Sequence, residues 1–515
     1  MQSIEANAAT YFVTRNATSD ARDKTAFIEA TEDQRSITYG ALGLDVARMG
    51  GLFERFDIRP EERIALLALD EIAFPVIFWG GINAGVVPVA LNTLLSTDVY
   101  STILQDCRAR ALFVSAALYP TVEPLLAEHP YVRHVFVIGG ETPVGAHDFA
   151  EALAASQPGE TYAVSPDDCA FWLYSSGSTG QPKGVRHVHS SLRATCDTYA
   201  SQVLGIQADD VVFSVAKLFF AYGLGNGMSF PMSVGASTIL FPGRPTPESV
   251  TQVLADHKPT VFCGVPTLYA ALNAHLENLD ALPNAPIRRC ISAGEALPED
   301  VGKRWHALWG VDILDGVGST ELLHIFLSNR SGEVVYGTSG VAVPGYELRL
   351  VDDDGAAVAT GEVGELLVKG ASASDGYWNQ RARSRLTFEG EWTHTGDKYT
   401  QDESGRYTYC GRTDDMFKVS GIWLSPFEVE QALSSHPLVL EAAVIARADS
   451  EGLDKPMAFV VLQDGAGAST DLGDTLKDHV KAKVGMWKYP RWIEIVEELP
   501  KTATGKIQRF KLRAH

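Results

Sequence analysis

Before about Tyr336, short β-rich apolar runs alternate with helix-length amphipathic stretches. Arg63-Ile-Ala-Leu-Leu-Ala-Leu69, Ala111-Leu-Phe-Val-Ser115 and His134-Val-Phe-Val-Ile138 read as buried strands, while Tyr39 to Phe56 and Asp98 to Arg108 carry helical spacing. Strands that alternate with helices predict parallel βαβ units, hence an α/β fold class. Beyond Tyr336 the pattern changes. Tyr346 to Val351, Gly364 to Lys369 and Arg406 to Tyr409 are short strands set off by Asp/Gly turns such as Asp352-Asp-Asp-Gly355, which predicts an antiparallel, β-barrel-like subregion. After Asp414, helix, strand and helix recur in a smaller α+β unit. The expected domains are residues 1–413 and 414–515.

Ile72 to Thr97 holds no charged residue and is long enough to span a bilayer. Pro75, Gly80, Gly81, Asn83, Gly85 and Pro88 punctuate it, so an apolar helix, a turn and a buried strand from Val86 to Ala90 are expected instead. The N-terminus lacks the basic start and apolar run of a secretory signal. With 45% hydrophobic and 21% charged residues over 515 positions, the chain can bury a sizeable core. Its net charge of −21 disfavours nucleic acid and anionic membrane as partners. Six scattered Cys with no C-x-x-C pair fit reduced thiols, and a cytoplasmic location is expected. From Lys477 onward lysine and arginine exceed the acids; a solvated helix face explains that, and so does a tail that meets a polyanion.

The strongest chemical signal is Tyr174-Ser-Ser-Gly-Ser-Thr-Gly-Gln-Pro-Lys-Gly184, which follows an apolar run from Cys169. Ser175, Ser176, Gly177, Ser178, Thr179 and Gly180 supply hydroxyl donors and inward-turning backbone N–H groups, and Lys183 supplies charge, the set needed to cradle a triphosphate. It is not a Walker loop, since no Gly-Lys-Ser/Thr ends it. A flexible Ser/Gly linker is the competing reading; the preceding strand and the closing Pro-Lys-Gly argue against it.

This loop resembles the phosphate loop of the AMP-forming adenylate family, which includes acyl-CoA synthetases, peptide-synthetase adenylation domains and luciferases. The resemblance recurs in order along nearly the whole chain. Gly294-Glu295-Ala296-Leu-Pro298 is similar to the family's segment along adenine. Asp315-Gly316-Val317-Gly318-Ser-Thr320-Glu321 resembles the next nucleotide motif, whose Thr contacts the α-phosphate and whose Glu helps hold Mg²⁺. Trp392-Thr-His-Thr-Gly-Asp397 resembles the motif whose Asp grips the ribose hydroxyls. Tyr409-Cys-Gly-Arg412-Thr-Asp414-Asp415 resembles the hinge motif, with Arg412 near the ribose and Asp414 as pivot, and Pro500-Lys-Thr-Ala-Thr-Gly-Lys506 the motif whose last Lys is the adenylation lysine. The resemblance implies ATP, Mg²⁺ and coenzyme A, with Lys506, Thr320 and Glu321 catalytic. It also implies a large N-terminal domain of two α/β subdomains plus the barrel-like one, and a small mobile α+β C-terminal domain.

These residue types suit the implied chemistry. Carboxylate attack on the α-phosphate builds charge that Lys506 and Mg²⁺ would neutralise. Asp397 can accept two ribose hydroxyls, and Arg412 is a rigid, permanently charged donor. For Glu321 the plainer alternative is a Glu after a Ser-Thr pair at a helix start. Lys506 without its motif would be a surface lysine. Rotation about Asp414 would exchange the Lys506 loop for Lys418-Val-Ser-Gly421-Ile-Trp423, whose glycine admits the thiol arm of CoA. Lys418 and Trp423 also have structural readings.

Lys217 to Gly225 and Leu322 to Asn329 are expected to build the acyl pocket. Amino-acid-activating relatives usually place an Asp in the first segment; here Phe220 and Ala221 stand there, and an unpaired buried ammonium is costly. Ala221, Tyr222, Gly223 and Gly318 suit a flat ring. Both segments resemble benzoate–CoA ligases, including hydroxybenzoate and aminobenzoate ligases, which implies that His324 and Ile325 line an aryl pocket. A hydrogen-bonded core histidine is the alternative for His324. The roles of His187, His189 and Cys263 stay open, and as a metal pair the two histidines lack a third ligand nearby. The reading is therefore ATP-dependent activation of benzoate, or a small hydroxy- or aminobenzoate, followed by transfer to CoA. A separate carrier protein is the alternative acceptor, and the oligomeric state, homodimer included, is not legible.

Overall fold

The computed structural model describes residues 2–513 except 177–180, 414, 420–421, 451–452, 464–470, 486 and 502–506. The side chains of Ser176, Lys418, Ile422, Trp423 and Phe510 also fall outside the description. Among the described residues, two mainly parallel sheets carry a first compact unit, Met1–Glu347 with Val368–Thr393. One has eight strands, with Arg63–Leu67 between Val87–Ala90 and Ala111–Ser115, all parallel. Cys169–Ser176 extends it beyond Val87–Ala90, and Pro182–Val188 returns antiparallel to that strand. The other has nine strands; Val211–Ser214, Val261–Gly264, Arg289–Ser292 and Ile313–Gly318 run parallel in that order, and Ile325–Ser328 returns antiparallel.

The strand runs anticipated at 63, 111 and 134 are present, buried because helices cover parallel sheets. The expected helices are Tyr39–Arg55, capped by the Thr38 hydroxyl accepting from Ala41 N, and Thr97–Cys107. The uncharged stretch resolves into a helix, Ala73–Asn83, a Gly85 turn at φ +72°, and a buried strand, Val87–Ala90. That helix is buried all round, which removes any need for a polar face. No described helix is long and apolar enough to cross a membrane.

Three of the chemical motifs sit at strand ends. Ser175 and Ser176 end the Cys169–Ser176 strand, Gly294-Glu295-Ala296 follows Arg289–Ser292, and Ser319-Thr320-Glu321 follows Ile313–Gly318. Open α/β sheets bind ligands at such ends.

The barrel-like region is a five-stranded sheet. In the second compact unit, Leu348–Leu367 with His394–His515, the Trp392–Gln401 strand pairs antiparallel with Tyr407–Arg412 and sets Asp397 opposite Arg412. Further on, Val439–Ala448, Asp454–Leu462 and Trp492–Ile495 form a mixed sheet, whose core with helices Pro426–Ser434 and Leu472–Val484 includes Leu424, Val429, Leu433, Val444, Leu476 and Val480. Compactness thus divides the chain at positions other than the 413/414 boundary expected from sequence.

In the nine-stranded sheet's core, Trp305 is fully buried against Phe262, Tyr269 and Trp309, at ring-centroid distances of 5.9, 4.8 and 5.6 Å. Trp305→Ala should cost about 3–5 kcal/mol through lost burial and a residual cavity. Urea unfolding followed by circular dichroism checks this; a loss under about 1 kcal/mol would mean that the site collapses without strain.

Candidate functional site

The hairpin of Cys169–Ser176 and Pro182–Val188 sets Ser175 opposite Lys183. The Ser175 hydroxyl is buried and has no hydrogen-bond partner among the described residues. Lys183 Nζ lies 3.1 Å from Glu321 Oε1 and 3.2 Å from the Tyr377 hydroxyl. Tyr377 donates to the same Oε1 at 2.8 Å. Burial raises the Glu321 carboxyl, but the Lys183 ammonium and the Tyr377 hydroxyl outweigh it and hold the group below the usual carboxylate value.

The segment that carries Tyr377 is pinned in place. Gly376 and Tyr377 pair with Arg186 and Val185, Trp378 N donates to Gly184 O at 2.8 Å, and Ser374 N donates to Glu321 O at 2.8 Å. The Ser372 hydroxyl donates to Leu322 O at 2.7 Å. Tyr377 was not among the residues anticipated from sequence. A tyrosine in Asp375-Gly-Tyr-Trp378 gives no chemical cue by itself; its function comes from the strand pairing.

Beside this cluster, Gly294 turns at φ +100° and Leu297 N donates to Asp315 Oδ2 at 3.4 Å. Asp315 is buried, with Oδ1 unpartnered, and burial pushes its carboxyl well above the usual value. Gly316 backs onto Ile325, a Cβ there standing 2.9 Å from Ile325 Cγ2. Glu295 is exposed; Ala296, Val317 and Thr320 are half-buried.

The expected acyl segments meet around His324. Its ring lies 4.4 Å from Phe230, 5.2 Å from Tyr199 and 5.8 Å from Tyr222, centroid to centroid. Burial lowers its imidazole to about 3, so it is neutral, with Nε2 3.4 Å from Tyr222 O and Nδ1 unpartnered. The Tyr222 hydroxyl reaches Gly264 O at 3.1 Å and Ile291 O at 3.2 Å. Ala221 and Ile325 are buried, and Phe220 is half-buried with its ring 4.4 Å from that of Phe219. Gly223 and Gly318 differ from the open slot expected of them. A Cβ on Gly223 would stand 2.1 Å from Lys217 O, and one on Gly318 2.6 Å from His324 O, so their bareness lets backbones approach. Sequence reasoning also missed Tyr199, Phe230 and Asp70, a buried carboxyl raised to about 6 that accepts from Leu218 N at 3.1 Å.

His187 stacks on Phe171 at 5.1 Å and burial lowers it to about 4. His189 accepts from Ala8 N at 3.1 Å through Nδ1 and is likewise lowered by burial to about 4. Cys263 is fully buried on its strand, its thiol pushed well above the usual value by burial. Among the described residues no group of three or more His, Cys, Asp or Glu could hold a metal.

In the second unit, Arg412 Nη1 lies 2.9 Å from Asp397 Oδ1 and 3.0 Å from Thr395 O. Asp415 accepts from Arg509 at 3.3 Å and Arg513 at 2.5 Å. Gly177, Ser178, Thr179, Gly180, Asp414, Gly421 and Lys506 lie outside the described residues, as do the Ser176 and Lys418 side chains.

Residues 13–378 match the model of the AMP-binding enzyme family and residues 428–506 that of the AMP-binding enzyme C-terminal domain. The 4-hydroxybenzoate–CoA/benzoate–CoA ligase of Rhodopseudomonas palustris is 52% identical over 510 residues, 98% of this chain and 94% of that one. A benzoate CoA ligase from Burkholderia xenovorans has a solved structure with TM-score 0.90 and 49% identity, covering 98% of this chain and 99% of that one. An anthranilate CoA ligase solved with anthranoyl-AMP gives TM-score 0.93 and 41% identity, covering 99% and 96%.

The Glu321 pair has a pH signature. A carboxyl held low by folding contributes stability that is full above its unfolded value, about 4.3, and lost as pH falls through the lower folded value. Lys183→Met leaves the burial and removes the ammonium, which should cost about 1.5–3 kcal/mol at pH 7. Glu321 should then titrate above its ordinary value, so the variant recovers stability as pH falls toward about 5. Urea midpoints against pH, with carboxyl ¹³C NMR, check both; an unmoved titration would mean that the pair carries no energy.

Proposed function

The chain belongs to the AMP-binding enzyme family, and we propose that it activates benzoate, or a small hydroxy- or aminobenzoate, with ATP and passes the aryl group to CoA. A carboxylate oxygen of the acid attacks the α-phosphorus, the bond to the β-phosphate oxygen breaks, and pyrophosphate leaves. The CoA thiolate then attacks the acyl carbon of the aryl-adenylate; the thioester forms and AMP leaves. That is an AMP-forming acid–thiol ligase. One juxtaposition carries the reading: the neutral aromatic enclosure around His324 begins three residues after Glu321, whose charge is fixed by Lys183 and Tyr377. A ring and a triphosphate held there would bring carboxylate and α-phosphate together, which is the entropic part of the catalysis.

The roles divide by residue type. Ser175, Ser176, Gly177, Ser178, Thr179, Gly180 and Lys183 cradle the phosphates, and Thr320 contacts the α-phosphate. Gly294, Glu295, Ala296, Asp315, Gly316 and Val317 border the base, while Asp397 and Arg412 take the ribose. Phe220, Ala221, Tyr222, Gly223, Gly318, His324 and Ile325 surround the ring. Phe220 and Ala221 stand where amino-acid-activating relatives usually place an Asp, which supports an aryl acid over an amino acid. Glu321 suits Mg²⁺: Lys183 and Tyr377 both use Oε1, and a carboxylate is the hard oxygen donor that this ion takes. When bound, the ion supplies charge neutralisation at the phosphates. Lys506 delivers its cation to the developing charge, and rotation of residues 414–515 about Asp414 then brings Lys418 and Gly421 to the CoA thiol. The names of the relatives support CoA as acceptor.

Benzoate and its small derivatives should release pyrophosphate from ATP far faster than phenylalanine or palmitate do. An assay panel in which phenylalanine or palmitate wins removes the aryl assignment and leaves the family. Lys506→Ala should slow adenylate formation by about 10²–10³, the cost of a lost transition-state donor, and spare thioester formation from preformed aryl-adenylate. Equal losses in the two half-reactions, measured separately, would make Lys506 structural.

A further inference from the structure

We propose that Gly225 sets the room available to the aromatic acid by accommodating the His324 ring, so that its missing methyl group is a specificity determinant; this rests on the aryl-acid reading above. Gly225 opens a short π-helical turn, Gly225–Ser229, with φ −64° and ψ −61°. Every L-residue adopts that backbone readily, so conformational freedom does not explain the glycine. Space does. A Cβ at 225 would stand 2.4 Å from His324 Cδ2, 2.7 Å from its Nε2 and 3.0 Å from Phe230 Cζ. Carbon contacts settle at about 3.5–4.0 Å, so the ring would have to move.

Its routes of retreat are walled. Phe230 and Tyr199 are fully buried around it, and Tyr222 is held through its hydroxyl by the Gly264 and Ile291 carbonyls. On the aryl-acid reading, the direction left to it is the space that the acid would take. Gly225 differs here from Gly223 and Gly318, whose nearest atoms are backbone carbonyls. Substituting those two strains the chain; substituting Gly225 strains only the pocket side chains.

The test is a double-variant cycle with benzoate and 4-hydroxybenzoate, read by pyrophosphate release, with melting temperatures measured alongside. Gly225→Ala should lower kcat/KM by about 10–200-fold, the range for a misfit methyl group in a pocket, with the larger 4-hydroxybenzoate losing more than benzoate, and leave KM for ATP within about twofold. In a His324→Ala background the same change should alter kcat/KM by less than about twofold, because the clashing ring is gone. Losses that multiply in the double variant, or an unchanged Gly225→Ala enzyme, overturn the inference. If Gly225→Ala melts too low for assay, the cycle is read in melting temperature: recovery on His324→Ala supports the contact, and no recovery overturns it. A wild-type protein that activates no aryl acid sinks the aryl reading and the specificity role with it, whereas failure of the cycle alone sinks only this inference.

Discussion

Lys183 and Glu321 come from different sheets and meet at one point. Lys183 lies on the returning strand of the eight-stranded sheet, and Glu321 follows the Ile313–Gly318 strand of the nine-stranded one. Their side chains are only 14% and 15% exposed, so neither charge has water enough to stand alone. Removing one partner of such a pair leaves the survivor's charge buried and uncompensated. Tyr377 makes the arrangement a three-way junction by donating to the oxygen that Lys183 already uses. The 169–188 hairpin, the Ser-Thr-Glu turn and the 372–377 segment therefore hold one another.

How much of the fold and site could be read from the residues depends on where each signal originates. The parallel strands and the Ala73–Asn83 helix were legible because burial on all sides writes uncharged runs into the sequence. Asp397 and Arg412, fifteen positions apart, were both flagged by motif, and strand register makes them partners. Tyr377, Tyr199 and Phe230 were not legible, since each acts on a residue far away in sequence and none carries a distinctive charge. Gly223 and Gly318 were found but read as open space. A glycine announces close approach without saying to what, and here the neighbours are carbonyl oxygens.

Three buried histidines share a direction. His187, His189 and His324 are driven by burial to about 4, 4 and 3, so all three are neutral across the physiological range. No charge switch near neutrality operates among these three histidines. The net charge of −21 thus coexists with a site whose described charges are locally balanced.

Gly80 of the all-buried helix faces Met49 of the Tyr39–Arg55 helix so closely that a Cβ would stand 2.4 Å from the Met49 side chain. The two helices can clasp before anything C-terminal to them exists. During synthesis the most water-averse stretch of the chain emerges directly after its own cover, and contacts so local in sequence form early. A nascent chain built in this order gives the stretch one covered side before the strands that bury the rest of it emerge. A bulkier residue at position 80 would therefore show itself first in the yield of protein from the ribosome, before any effect on the finished enzyme.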